Sequence, residues 1–212
     1  MDTTRGRQKR TPQCRIAALA IFAVLLGACA AGNPSRAPAR IEIQEAVGFT
    51  ITEDTHVSGD MRTEYEAAVR LLEQGQQQGI REMQEVIQQA PELVTPYIDL
   101  GIALHRSGDL QAAEQSLLKA RALNPEHPVV HNELGIIYRK TGRFADARKS
   151  YEAALAIYPN YHYTRRNLAV LCDLYLADPG CALENYQAYM NTVPGDDEAA
   201  MWVADLRNRM SQ

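Results

Sequence analysis

The chain has 212 residues, 22 of them basic and 26 acidic, and 46% are hydrophobic. Five of the basic residues and one of the acidic ones precede Cys29, so from Cys29 onward the balance is 17 against 25, about −8. A net acidic chain lacks the basic surface that displaces counterions from phosphates, which excludes nucleic-acid binding. No Gly-rich phosphate loop, nucleophile elbow or zinc-spaced cysteine set occurs, so no catalysis, cofactor or metal site is expected.

In chain order, Met1 to Arg15 carries Arg5, Arg7, Lys9, Arg10 and Arg15 against the single acid Asp2. Ile16 to Leu26 is then uncharged for about 11 residues, within the range of a secretory h-region and short of the roughly 20 needed to span a bilayer. Leu26-Gly27-Ala28-Cys29 closes the run, with a cysteine directly after two small residues. This resembles the lipobox of bacterial lipoproteins. The resemblance implies that residues 1–28 are a signal peptide, that cleavage leaves Cys29 first, and that its thiol carries a diacylglycerol. Acyl burial contributes about 0.8 kcal/mol per methylene, and more than one chain makes the anchor stable. Ala30, where family members retained in the inner membrane carry Asp, implies the outer membrane of a Gram-negative bacterium and its periplasmic face. An uncleaved anchor or a plain secreted product is the alternative. Residues 29–40, with Pro34, Pro38 and small neighbours, read as a solvated tether.

Ile41, Ile43, Val47, Phe49 and Ile51 fall mostly on odd positions, which predicts an extended lead-in over residues 41–60. It is too short to be expected as a sheet by itself. It either lies across the first helices or is donated as a strand to a partner.

From Val94 the chain repeats itself. Leu100 and Leu134, Gly101 and Gly135, Gly108 and Gly142, Ala113 and Ala147, Ala120 and Ala154, and Pro125 and Pro159 all share one interval of about 34 residues. Leu104 matches Tyr138 and Leu117 matches Tyr151 in the same frame. This resembles the tetratricopeptide repeat (TPR), with Tyr97 and His131 in place of its usual tryptophan. The resemblance implies an all-α fold, a right-handed solenoid of antiparallel helix pairs. Mid-helix Gly101 and Gly135 cost about 1 kcal/mol each against alanine, which close approach of the second helix, at Ala113 and Ala147, would offset. Gly108 and Gly142 sit where each first helix should end in a left-handed residue. Pro125 and Pro159 stop the second helices.

Full repeats are therefore expected over residues 94–127, 128–161 and 162–196, the third aligned through Leu168, Ala169, Ala182, Tyr186 and Pro194 with one extra residue around Ala177-Asp178-Pro179-Gly180. A degenerate repeat over 61–93 is read from Tyr65, Ala68 and Leu72, then Met83, Val86 and Ile87. Residues 197–212, with Ala200, Trp202, Val203 and Leu206, fit a capping helix that covers the last apolar face. Trp202 is assigned to packing.

Only Cys172 and Cys181 remain once the signal is gone and Cys29 is acylated. They flank the turn of the third repeat, so an oxidising compartment would let them form a disulfide. Two buried free thiols are the alternative. His127 and His131 are four apart, but Pro128 places the first at or before the helix start, so no metal is expected there. Glu126 and Glu133 read as solvated charges.

In the TPR family, first-helix side chains at recurring offsets line a concave groove for a peptide. Carried onto this chain, the offsets fall on Thr95, Ile98, Ile102 and His105, then Val129, Asn132, Ile136 and Arg139, then Tyr163, Arg166 and Val170. Asn132 is expected to bond a peptide backbone, and Arg139 and Arg166 to present unpaired charge. The lysines and second asparagine of the chaperone-type carboxylate clamp are not matched. The order of signal, tether, repeats and cap resembles small Gram-negative TPR lipoproteins. That resemblance implies an adaptor or scaffold for an envelope machine, of TonB-type energy transduction or type IV pilus assembly. A regulator of peptidoglycan synthesis or hydrolysis is the alternative. The partners implied are a protein or peptide in the groove and lipid at Cys29.

Overall fold

The computed structural model describes the backbone of residues 40–44 and 48–52 and the whole of residues 57–212. Cys29, the signal segment and most of the tether lie outside the described residues. Strands β1 (Arg40–Gln44) and β2 (Gly48–Thr52) pair antiparallel, with Ile41 opposite Ile51 and Ile43 opposite Phe49. The extended segment thus pairs with itself, which the sequence reading had excluded on length. Alternating β-branched and aromatic residues on both sides of a three-residue connection favour a hairpin over a single strand.

Helices follow in pairs: α1 (Gly59–Glu73) with α2 (Gln77–Gln89), α3 (Val94–Ser107) with α4 (Leu110–Leu123), α5 (Pro128–Lys140) with α6 (Phe144–Ile157), and α7 (His162–Leu174) with α8 (Pro179–Thr192). A last helix, α9 (Asp197–Met210), packs on α8. No helix among the described residues is long and apolar enough to cross a membrane.

The turns are set by local chemistry. Gly75, Gly108 and Gly142 take φ of 70°, 93° and 76° after α1, α3 and α5, the left-handed stop that spares glycine a Cβ clash. In the last pair that place falls to Ala177, whose φ of 51° costs an alanine about 1 kcal/mol. Asp109, Asp178 and Asp196 cap α4, α8 and α9 through backbone N–H groups at Ala112, Cys181 and Ala199.

In the α3–α4 and α5–α6 pairs the helices meet at a glycine: Ala113 O would lie 3.4 Å from a Cβ on Gly101, as expected, but larger side chains come closer. A Cβ on Gly101 would lie 2.7 Å from Leu117 Cγ, and one on Gly135 would clash with the edge of the Tyr151 ring. The glycines make room for the large side chains of α4 and α6. Ala113 and Ala147 are fully buried one turn earlier. One core runs from α3 to α9, through Leu117, Leu134, Tyr151, Leu171 and Leu206. A smaller one joins α1 and α2 to α3, through Ala68, Met83, Val86 and Leu100.

Between pairs, first helices touch first helices: α1 meets α3, α3 meets α5, and α5 meets α7. The second helices α2, α4, α6 and α8 do not reach one another. A double layer that is close-packed on one side and splayed on the other curves towards the packed side. The first helices therefore line the inner, concave face of a helical solenoid.

Candidate binding face

The inner face is floored by Ile102, Ile136 and Val170, each half-buried against the core with an edge towards solvent. Tyr163 stands at its lip, 58% exposed, with its ring centroid 4.0 Å from that of His162. Thr95 helps line a pocket of about 310 Å³ between α1 and the start of α3, with Met61, Tyr65 and Pro96. His105 is half-buried in the last turn of α3. Burial first, and then Lys140, Arg106 and Arg139, hold its imidazole below the usual range.

Two of the expected groove residues are spent inside the fold. Ile98 is 5% exposed and belongs to the core. Asn132 is 2% exposed. Its Oδ1 accepts from Thr164 Oγ1 and Asn167 Nδ2, both at 3.0 Å, while its Nδ2 donates to Glu133 Oε1 at 2.9 Å. With its amide committed to three side chains, Asn132 joins α5 to α7 and offers a peptide nothing in this arrangement.

The two arginines also differ from expectation. Arg166 faces Glu198 of α9, Nη2 to Oε2 at 3.9 Å, and its guanidinium carbon lies 5.0 Å from the centre of the Trp202 ring. Its charge is not free. Trp202 in turn packs on Tyr186 at 5.5 Å, a structural role. Arg139 has no carboxylate partner among the described residues. Its guanidinium carbon is 5.8 Å from the centre of the Tyr175 ring, and its buried Nε makes no hydrogen bond.

The inner face also carries two acids that the sequence reading missed. Tyr65 donates to Asp99 Oδ2 at 2.5 Å, which ties α1 to α3. Glu133, read as solvated, is instead half-buried beside Asn132, to whose Nδ2 its Oε1 is bonded. Burial raises both carboxyl pKa values above the ordinary carboxylate range, opposed by the Tyr65 bond at Asp99 and by the Asn132 bond at Glu133. The signal was present: Asp99, Glu133 and Asn167 recur at the 34-residue interval, one residue on from Ile98, Asn132 and Arg166.

Cys172 of α7 and Cys181 of α8 are joined by a disulfide with Cα atoms 5.9 Å apart. Asp178 lies close to both sulfurs. With the sulfurs bonded to each other and the carboxylate capping α8 and paired with Arg148, this group is structural. His127 precedes α5 and is buried, while His131 reaches Pro125 O at 2.7 Å. Both histidines are used in packing or backbone contacts.

A curved array of helix pairs with a half-exposed apolar inner face defines a helical-repeat protein-interaction scaffold. Residues 98–162 match the family model of the tetratricopeptide repeat. Over 62 residues the chain is 39% identical to anaphase-promoting complex subunit 6 of Dictyostelium discoideum, a match covering 29% of this chain and 7% of that protein. Among solved structures, MamA (residue 41 to the end) from Desulfovibrio magneticus RS-1 superposes with TM-score 0.65 at 20% identity, over 74% of this chain and 88% of that one. PilF of Pseudomonas aeruginosa gives 0.63 at 17% identity, over 72% and 71%. The first TPR domain of Spaghetti, solved with the HSP90 peptide SRMEEVD, gives 0.53 at 17% identity, over 56% and 94%. At these identities the likeness is one of fold.

Proposed function

We propose that this chain is a lipid-anchored adaptor of the bacterial envelope. In this reading Cys29 holds it to the outer membrane on the periplasmic side, and its inner face holds a segment of a partner protein in a multi-protein envelope machine. The observation that carries the binding role is the row Ile102, Ile136 and Val170 with exposed Tyr163 beside it. These half-buried apolar side chains lie on the packed side of the array, where no described element covers them. A similar fold was solved bound to a peptide, which supports a peptide-binding role. The Cys172–Cys181 bond supports an oxidising compartment, since such bonds are rare in the reducing cytosol. The run Leu26-Gly27-Ala28-Cys29 supports the anchor.

Photo-crosslinking in the cell tests this reading. A crosslinker at Ile102 or Tyr163 should trap one and the same protein, while crosslinkers at Lys119 and Glu152 on the second helices should not. The Cys29→Ala chain should lose acyl-lipid labelling and this crosslink together. Equal yields from both sets of positions would remove the inner-face reading, and unchanged acyl labelling in Cys29→Ala would remove the anchor.

A further inference from the structure

The chemistry of the bound segment follows from the corner of the inner face where α3 and α5 end. His105 and Arg106 occupy the last turn of α3, and Arg139 and Lys140 that of α5. A helix C-terminus favours cations, which accounts for the residue type but not for its surroundings. Arg106, Arg139 and Lys140 form no ion pair among the described residues, as is true of several other surface cations, though Arg106 is near enough to Asp99 and Glu133 to act on both carboxyls. The three charges converge closely enough to act together on the His105 imidazole. The acids nearest the corner are Asp99 and Glu133, already held by Tyr65 and Asn132.

Arg139 is the centre of this corner. The guanidinium lies beside the hydroxyls of Tyr151 and Tyr175, but its buried Nε completes no hydrogen bond of good geometry, nor does the hydroxyl of Tyr151 on α6, a residue with no exposed surface. A guanidinium N–H out of water and without an acceptor is unfavourable. Burial pushes the Tyr151 phenol up to about 12, against the opposing effect of Arg139, so the hydroxyl keeps its proton and provides no anion. Tyr175, just past α7 and 43% exposed, contributes an aromatic wall. The missing group is an oxygen anion that can meet a guanidinium side-on, taking one bond from Nε and one from a terminal nitrogen.

We propose that this corner binds a side-chain carboxylate of an acidic segment in the partner, with Arg139 as its anchor and Arg106, Lys140 and Tyr175 around it. The proposal rests on the inner-face reading and gives the occupant its chemistry. For its Nε to take part, the Arg139 side chain must turn out of its buried position. Arg166, engaged by Glu198 and Trp202, takes no part.

The test uses the full chain and three labelled, end-blocked peptides: hexaglutamate, hexaglutamine and hexalysine. Hexaglutamate should bind by fluorescence anisotropy, and the other two should not. Arg139→Gln should weaken it at least about tenfold, Arg139→Lys should restore part of the affinity, and Arg166→Gln should change it less than about twofold. In nitrogen–proton spectra, hexaglutamate should shift the Arg139 Nε–H signal, identified by its loss in Arg139→Lys. No binding of hexaglutamate, equal binding of hexalysine, or full affinity in a folded Arg139→Gln chain would overturn the proposal. If crosslinking from Ile102 and Tyr163 persists in that case, the inner-face reading stands with an occupant of different chemistry.

Discussion

Gly135 shows what a single residue contributes to this array. Tyr151 fills the space its missing Cβ leaves, and the ring is fully buried, so it cannot move aside. Alanine would gain about 1 kcal/mol of helix propensity and lose about 1 to 3 kcal/mol to overpacking. Gly135→Ala is therefore expected to destabilise in urea unfolding, and Gly135→Ala with Tyr151→Leu to recover most of the loss. His127 makes a second residue-scale case. Burial, then His131, lowers its pKa from 6.5 to about 4. The unfolded chain takes up the proton near pH 6.5 and the folded chain only near pH 4, so stability is complete above 6.5 and falls between the two. The linkage amounts to at most about 3 kcal/mol. His127→Leu should flatten the stability profile over this window, and a profile as steep as that of the parent chain would refute the assignment.

At the scale of elements, the 34-residue interval made the pairs, their glycine stops and the cap readable in the sequence, because each depends on residues near one another in the chain. What the interval could not show is which half-exposed positions are consumed by the next repeat. Asn132 occupies a groove offset, yet Thr164 and Asn167, 32 and 35 residues on, use up its oxygen. Arg166 is engaged by a helix that begins 31 residues later. The hairpin was missed for a related reason: alternation identifies a strand without naming its partner.

The α7–α8 turn carries a prediction of its own. Ala177 holds the left-handed conformation that glycine takes elsewhere, inside the loop closed by Cys172 and Cys181. In the chain-entropy model, closing nine residues contributes about 2 to 3 kcal/mol. Unreduced protein should therefore show no free thiol at either cysteine. Reductant should lower the urea midpoint of α7–α9 by an equivalent amount, followed through Trp202 fluorescence. Alkylation of both cysteines without reductant would contradict the pairing.

Across the whole array, each pair contacts only its neighbours, so stability is distributed along it unevenly. The C-terminal end has the disulfide, the Arg209–Asp173 ion pair at 2.7 Å and the cover of α9. The N-terminal end has only the smaller core of α1, α2 and Leu100. A pull delivered through the N-terminal segment is applied first to α1, at the weaker end. Under the proposed anchoring, tension would peel α1 and α2 from α3 before it reached α5 and α7, and the first pair would serve as a mechanical fuse for the repeats behind it.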